Sequence, residues 1–104
     1  MKIKDLGRDD RPREKLSEKG PSALSNAELL AVLLRTGTGK FNVVDTARML
    51  LKSAGDSLLS LAAMDQRELC KTCGVGPDKA AAVSAAFELG RRREQESAGY
   101  DRVS

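Results

Sequence analysis

The chain has 104 residues, with 18 basic and 15 acidic side chains, a net charge of +3, three aromatic residues and no histidine. A chain of this length fits one domain with one modest core. The scarcity of aromatic residues counts against proteins that stack bases on aromatic platforms. The absence of histidine removes the commonest general base and the commonest metal ligand. We therefore expect a non-enzymatic protein with no catalytic residue, no metal site and no cofactor.

No apolar segment approaches the ~20 residues needed to span a bilayer, and the chain opens without the pattern of a secretory signal peptide. Two cysteines in a chain without such a signal favour a reducing compartment. We expect a cytoplasmic protein with no membrane partner.

The first twenty residues are rich in charge, with seven basic and five acidic side chains. Residues 11–16 predict a short helix that has Pro12 at its first position and stops at Gly20. We predict that residues 1–20 form a charged N-terminal segment carrying this one helix. Such charge runs are as typical of a solvated helix face as of a surface that contacts phosphates.

A second helix is predicted after Pro21, because Ser25 can cap its start and Glu28 can complete a capping box. It should run to about Arg35, where the glycine-rich residues 36–40 break it. A third helix, capped by Asn42, has apolar residues on one face at helical spacing. These residues are Val43, Ala47, Leu50, Leu51 and Ala54.

A similar pattern recurs forty positions later. Asp65 and Glu68 repeat the cap, a short helix leads into Cys73-Gly74-Val75-Gly76-Pro77, and a long helix follows. A short connecting helix is predicted at 56–63, and residues 97–104 lack periodicity, which predicts a flexible tail or the start of a linker. The sequence thus predicts an all-α bundle of five to six helices. Its domain spans residues 21–96 and contains the unit helix, Gly-x-Gly hairpin, helix twice.

Each hairpin is a candidate binding site for a nucleic-acid phosphate. Glycine-rich turns can point successive backbone N–H groups into one concavity, and a helix that begins there adds its unsatisfied first-turn N–H groups. In the second hairpin we expect the donors to be Gly76, Asp78 and Lys79, although Asp78 also places a negative charge nearby. A purely structural turn is the alternative for each hairpin. The predicted nucleic-acid-binding residues are Thr36, Gly37, Thr38, Gly39, Lys40, Gly74, Val75, Gly76 and Lys79.

Three other patterns allow more than one interpretation. Cys70 and Cys73 form a Cys-x-x-Cys, which fits a partial zinc site, a redox pair or simple packing. Residues 37–40 resemble part of a phosphate-binding P-loop, but the full glycine and lysine spacing is missing and no strand precedes them. Residues 91–93 are three successive arginines, which suit either a phosphate backbone or a solvated helix end.

Several segments together resemble the N-terminal region of RadC-like proteins. The segments are Arg11-Pro12-Arg13-Glu14-Lys15-Leu16, Leu33-Leu34-Arg35-Thr36-Gly37-Thr38 and Gly74-Val75-Gly76-Pro77-Asp78-Lys79-Ala80. The resemblance implies a tandem helix-hairpin-helix fold similar to the second domain of RuvA, and a role connected with DNA repair or recombination. Such proteins usually continue into a metal-dependent JAMM-type domain with a His-x-His and Asp zinc motif. No segment of these 104 residues matches that motif, so we expect this chain to correspond to the N-terminal module alone.

We therefore expect a non-catalytic module that binds double-stranded or branched DNA through its phosphates, without sequence specificity. The alternative is a protein-interaction or regulatory module that docks a partner or the missing C-terminal JAMM-type domain.

Overall fold

The computed structural model describes the backbone of residues 9–103 and the side chains of residues 9–99. Residues 1–8 of the predicted N-terminal segment, and Ser104, lie outside the described residues. Within the described range the chain forms six α-helices, one short 3₁₀ turn and no strand, which confirms the predicted all-α fold. The helices are α1 (Arg11–Lys19), α2 (Asn26–Leu34), α3 (Val43–Ser53), α4 (Leu58–Ala63), α5 (Gln66–Leu69) and α6 (Pro77–Val103), and the 3₁₀ turn is Pro21–Ala23.

Side-chain caps start the helices where the sequence predicts them. Ser25 caps α2 and forms a complete capping box with Glu28, and Asp65 does the same for α5 with Glu68. Asn42 caps α3 by accepting the N–H of Asp45 at 2.9 Å. Each cap satisfies an N–H group that a helix leaves without an intrahelical partner.

The core is aliphatic, as the scarcity of aromatic residues requires. Helix α2 packs against α3 and against the first half of α6, while α5 packs beside the start of α6. Burying one leucine side chain in this core contributes about 1.5–3 kcal/mol to the free energy of unfolding. The largest fully buried side chains are Leu34, Leu50, Leu61, Leu69, Val43, Val83 and Thr46. The predicted apolar face of α3 is buried at every position except Ala54, which is half-buried.

The N-terminal helix is attached to this core. Pro12 is buried, and the Lys15 ammonium lies 3.1 Å from the Glu28 carboxylate on α2. Pro12 occupies the second position of α1, because the helix begins one residue earlier than predicted, at Arg11.

The sequence predicts a flexible tail or the start of a linker at residues 97–104. Helix α6 continues through Val103. Extending an existing helix costs little compared with starting one, so a helix can continue through a polar segment that has no apolar face. Among the described residues, no helix combines the length and the apolar character needed to cross a bilayer.

Candidate nucleic-acid interface

The first hairpin, residues 36–40, uses most of its own backbone N–H groups to hold its shape. Thr38 donates its N–H to the Phe41 carbonyl at 2.7 Å, and its hydroxyl oxygen accepts the N–H groups of Lys40 and Phe41. Gly37 is required for close approach, because a methyl group on it would overlap the Phe41 carbonyl oxygen. The turn is therefore fixed by bonds within the loop.

Asp9 satisfies two further N–H groups at this hairpin. Its carboxylate accepts the Gly37 N–H at 3.0 Å and the Val43 N–H, at the start of α3, at 2.8 Å. These are donors of the kind that a phosphate would use. Sequence reasoning missed Asp9, because it is one of several acidic residues in a highly charged segment and no local pattern singles it out. The first hairpin therefore already holds a carboxylate of its own chain.

The second hairpin, residues 73–77, is more open. Gly76 precedes α6, and its carbonyl accepts the Ala80 N–H at 2.9 Å. Within the described residues, the N–H groups of Gly76, Asp78 and Lys79 have no acceptor in hydrogen-bond range. These are the three donors that the sequence predicts.

Val75 does not present itself to a ligand, although it is among the predicted binding residues. Its side chain is only 4% exposed and packs in the core, and its N–H is donated to the Thr72 carbonyl at 3.0 Å. Val75 anchors the second hairpin instead, so that Gly74 and Gly76 lie on either side of a buried side chain.

The two hairpins contact each other and form a single surface. Gly74 has a φ of +90°, and a methyl group on it would lie 2.9 Å from the Thr38 methyl and 3.4 Å from the Thr46 methyl. The Lys79 ammonium donates to the Thr36 carbonyl and lies 3.3 Å from the Thr36 hydroxyl. We call residues 36–40 together with residues 74–79 the hairpin surface. Lys79 thus carries a charge and also links the two halves of this surface.

Arg35 leads into the hairpin surface through a strained backbone. Its φ and ψ are 68° and −51°, and Thr36 donates its N–H to the Leu34 carbonyl at 2.8 Å. This is a γ-turn with positive φ at its centre, which is rare and costs a non-glycine residue about 1–3 kcal/mol. A cation near a helix C-terminus returns only about 0.3–1 kcal/mol when exposed. The Arg35 side chain is exposed, and no described carboxylate lies within ion-pair range of it.

The remaining predicted binding residues and the other charged groups lie in two places. Gly39, Lys40 and Asp78 are exposed on the hairpin surface, with the Lys40 ammonium 5.9 Å from the centre of the Phe41 ring. The arginine run lies further along α6, where Arg91 and Arg92 both bond to Glu88 and lower the pKa of that carboxyl to about 2. Two of the three arginines are thus already paired on their own helix.

The Cys-x-x-Cys motif lies at the turn between α5 and the second hairpin. Both thiols are free, with Cys70 half-buried against the core and Cys73 exposed. No cluster of three or more potential metal-ligating side chains occurs among the described residues. Packing accounts for Cys70.

Comparison with known proteins places these features in a family. The UPF0758 N-terminal family model matches residues 3–81. A UPF0758 protein of Chlorobium phaeovibrioides is 51% identical over 92 residues, which are 88% of this chain and 40% of that protein. UPF0758 proteins of Chloroflexus aurantiacus and Shewanella oneidensis are 52% and 50% identical over 80% and 93% of this chain, and 36% and 43% of their own lengths.

No solved structure shows significant similarity to the chain. The chain spans about 40% of the length of the curated relatives that it matches. Both the family match and the helical fold agree with the resemblance inferred from the sequence motifs. The chain belongs to the UPF0758 family of RadC-like proteins and corresponds to their N-terminal region.

Proposed function

We propose that this chain is a non-catalytic module that binds the phosphate backbone of double-stranded or branched DNA through the hairpin surface. The observation that carries the proposal is the open N-terminus of α6. There the N–H groups of Gly76, Asp78 and Lys79 have no acceptor among the described residues and stand beside the first hairpin. The RadC-like resemblance connects such a module with DNA repair or recombination.

The helix supplies the attraction for an anion. Its N-terminus carries the positive end of the helix dipole and the N–H groups that the first turn leaves unsatisfied. Gly76 carries no side chain that would keep a sugar-phosphate backbone away, and the space that its Cβ would occupy is open. Lys40 and Lys79 add formal positive charge beside this turn. The carboxylates at the hairpins are that of Asp78, which is exposed, and that of Asp9, which is bonded to the first hairpin.

These groups suit phosphates rather than base edges. Backbone N–H groups and lysines position a protein on a duplex, whereas sequence is read by side chains that enter a groove. Binding should therefore be independent of sequence and should weaken steeply as salt rises. For an isolated module with few phosphate contacts, we expect a Kd on the order of micromolar or weaker.

The test is fluorescence anisotropy with a labelled duplex at two salt concentrations, using Gly76→Asp as the diagnostic variant. An aspartate at this N-cap position accepts the free N–H groups of the first turn and adds a negative charge where the phosphate would bind. We expect the DNA affinity to fall at least tenfold, while the stability of the fold stays the same or rises slightly.

The matched control is Ser60→Asp, which adds the same charge at an exposed position of α4. It should change the affinity less than twofold. Binding that ignores salt, or that falls equally in the two variants, would refute the proposal.

A second candidate function, a protein-interaction or regulatory module, is favoured by exposed leucines. Leu59 and Leu89 are 84% and 68% exposed, and Leu59 lines a groove together with the half-buried Phe87. Exposed apolar surface of this kind is typical of a face that another protein or domain covers. The two candidates separate in one experiment. A DNA-binding module keeps its affinity in Leu59→Ser, whereas an interaction module shows no binding to duplex DNA even at low salt.

A further inference from the structure

Arg35 combines a strained backbone with a side chain that has no structural role among the described residues. The residue has positive φ at the centre of a γ-turn, a conformation that glycine adopts with less strain. Its guanidinium is exposed and forms no hydrogen bond or ion pair within the described part of the chain. Among the described residues, neither packing nor pairing therefore explains why an arginine occupies this position.

The position lies beside the junction of the two hairpins. The preceding residue, Leu34, is fully buried, and the following residue, Thr36, accepts hydrogen bonds from Lys79 on α6. These two neighbours fix the backbone on both sides of Arg35. The turn therefore places Arg35, whose guanidinium is always charged, directly before the threonine that binds the lysine linking the hairpins.

A guanidinium is well suited to a phosphate, because its planar set of N–H donors matches the phosphate oxygens two at a time. A favourable interaction with the α2 dipole does not explain the residue equally well, since any exposed cation in the last turn of that helix would supply it without a strained backbone.

We propose that Arg35 is a phosphate-binding residue of the hairpin surface, and that its strained turn persists because DNA binding uses its guanidinium. The proposal rests on the proposed function and adds to it a residue outside the two glycine hairpins. It predicts that changes at Arg35 alter DNA affinity and stability independently, because the side chain binds the phosphate while the strained backbone lowers the stability of the fold.

The experiment measures DNA affinity, its salt dependence and the urea midpoint for Arg35→Gln, Arg35→Gly and Arg35→Lys. In Arg35→Gln the Kd should rise at least fivefold and the slope of log K against log salt should become shallower by about 0.9, the loss of one phosphate contact. Its urea midpoint should match the wild type. Arg35→Gly should lose the same affinity with a midpoint at or above wild type, and Arg35→Lys should recover part of the affinity.

The matched control is Arg48→Gln, which removes an exposed arginine from α3. Its Kd should change less than twofold. If the wild type binds DNA and Arg35→Gln binds like Arg48→Gln, the inference is overturned and the proposed function stands. A fall in both the midpoint and the affinity of Arg35→Gly would also overturn it, because that result indicates a structural role. Absence of wild-type binding would overturn the proposed function itself.

Discussion

Replacing Gly74 with alanine tests whether the two hairpins form one packed unit. The glycine has a φ of +90°, and its missing Cβ leaves room for the Thr38 and Thr46 methyl groups, which would lie 2.9 Å and 3.4 Å from an alanine methyl. The first distance is well inside van der Waals contact. Alanine would therefore strain its own backbone and push the first hairpin away from the second.

The cost can be worked from these two effects. A positive φ costs a residue with a Cβ about 1–2 kcal/mol, and overpacking a fitted contact costs about 1–3 kcal/mol. The lower conformational entropy of alanine in the unfolded chain returns about 0.4–1 kcal/mol. The net loss in the free energy of unfolding should be about 2–4 kcal/mol. That is a large share of the ~5–15 kcal/mol that holds a typical domain together.

Urea unfolding followed by circular dichroism is the suitable assay, because the chain has no tryptophan. The control is Gly76→Ala in the same hairpin, where an added methyl group meets nothing within 4 Å. Its cost should stay below ~1 kcal/mol, the effect of alanine at an N-cap. If Gly74→Ala and Gly76→Ala lose the same stability, the hairpins do not pack as described.

Three further predictions concern stability. Asp9→Ala should lower the free energy of unfolding by about 1–3 kcal/mol, because two backbone N–H groups lose their acceptor. The control Asp10→Ala removes only an exposed ion pair and should lower it by less than ~1 kcal/mol. Equal urea midpoints for the two variants would contradict the role of Asp9. The pKa of Glu28 is lowered from 4.5 by the backbone N–H of its N-cap serine and by a neighbouring lysine. The ionised Glu28 carboxylate thus contributes its full stability above pH 4.5, and this contribution is lost as the pH falls through the lowered pKa of the folded state. Glu28→Gln should therefore show a smaller difference in the free energy of unfolding between pH 7 and pH 3 than the wild type. Leu61→Ala should lower the free energy of unfolding by about 2–5 kcal/mol, because the Leu61 side chain is only 1% exposed. Leu59→Ala should lower it by less than ~0.5 kcal/mol, because Leu59 is 84% exposed. Similar shifts of the melting temperature in the two variants would refute the described packing of α4.

Helix starts and turns were predictable because the bonds that make them are local. Ser25, Asn42 and Asp65 each accept the N–H of a residue three positions later, so the cap is visible within a few letters of sequence. The buried face of α3 was predictable for the same reason, since one helix period relates its members.

The end of α6 was not predictable in this way. The sequence of residues 97–104 lacks periodicity, and the prediction of a tail or linker depended on that lack. A helix that has already formed extends through polar residues at little cost, so a loss of apolar periodicity does not mark the end of the helix.

The arrangement of the hairpin surface is a matter of tertiary structure alone. Asp9 bonds to a residue 28 positions away, and Lys79 bonds to one 43 positions away. Helical periods and capping motifs report on neighbours within a few turns, and they carry no information about which turn packs against which. The sequence could therefore predict two glycine hairpins as separate features. Packing of the helices brings the hairpins into contact, closes one with a carboxylate and leaves the other open.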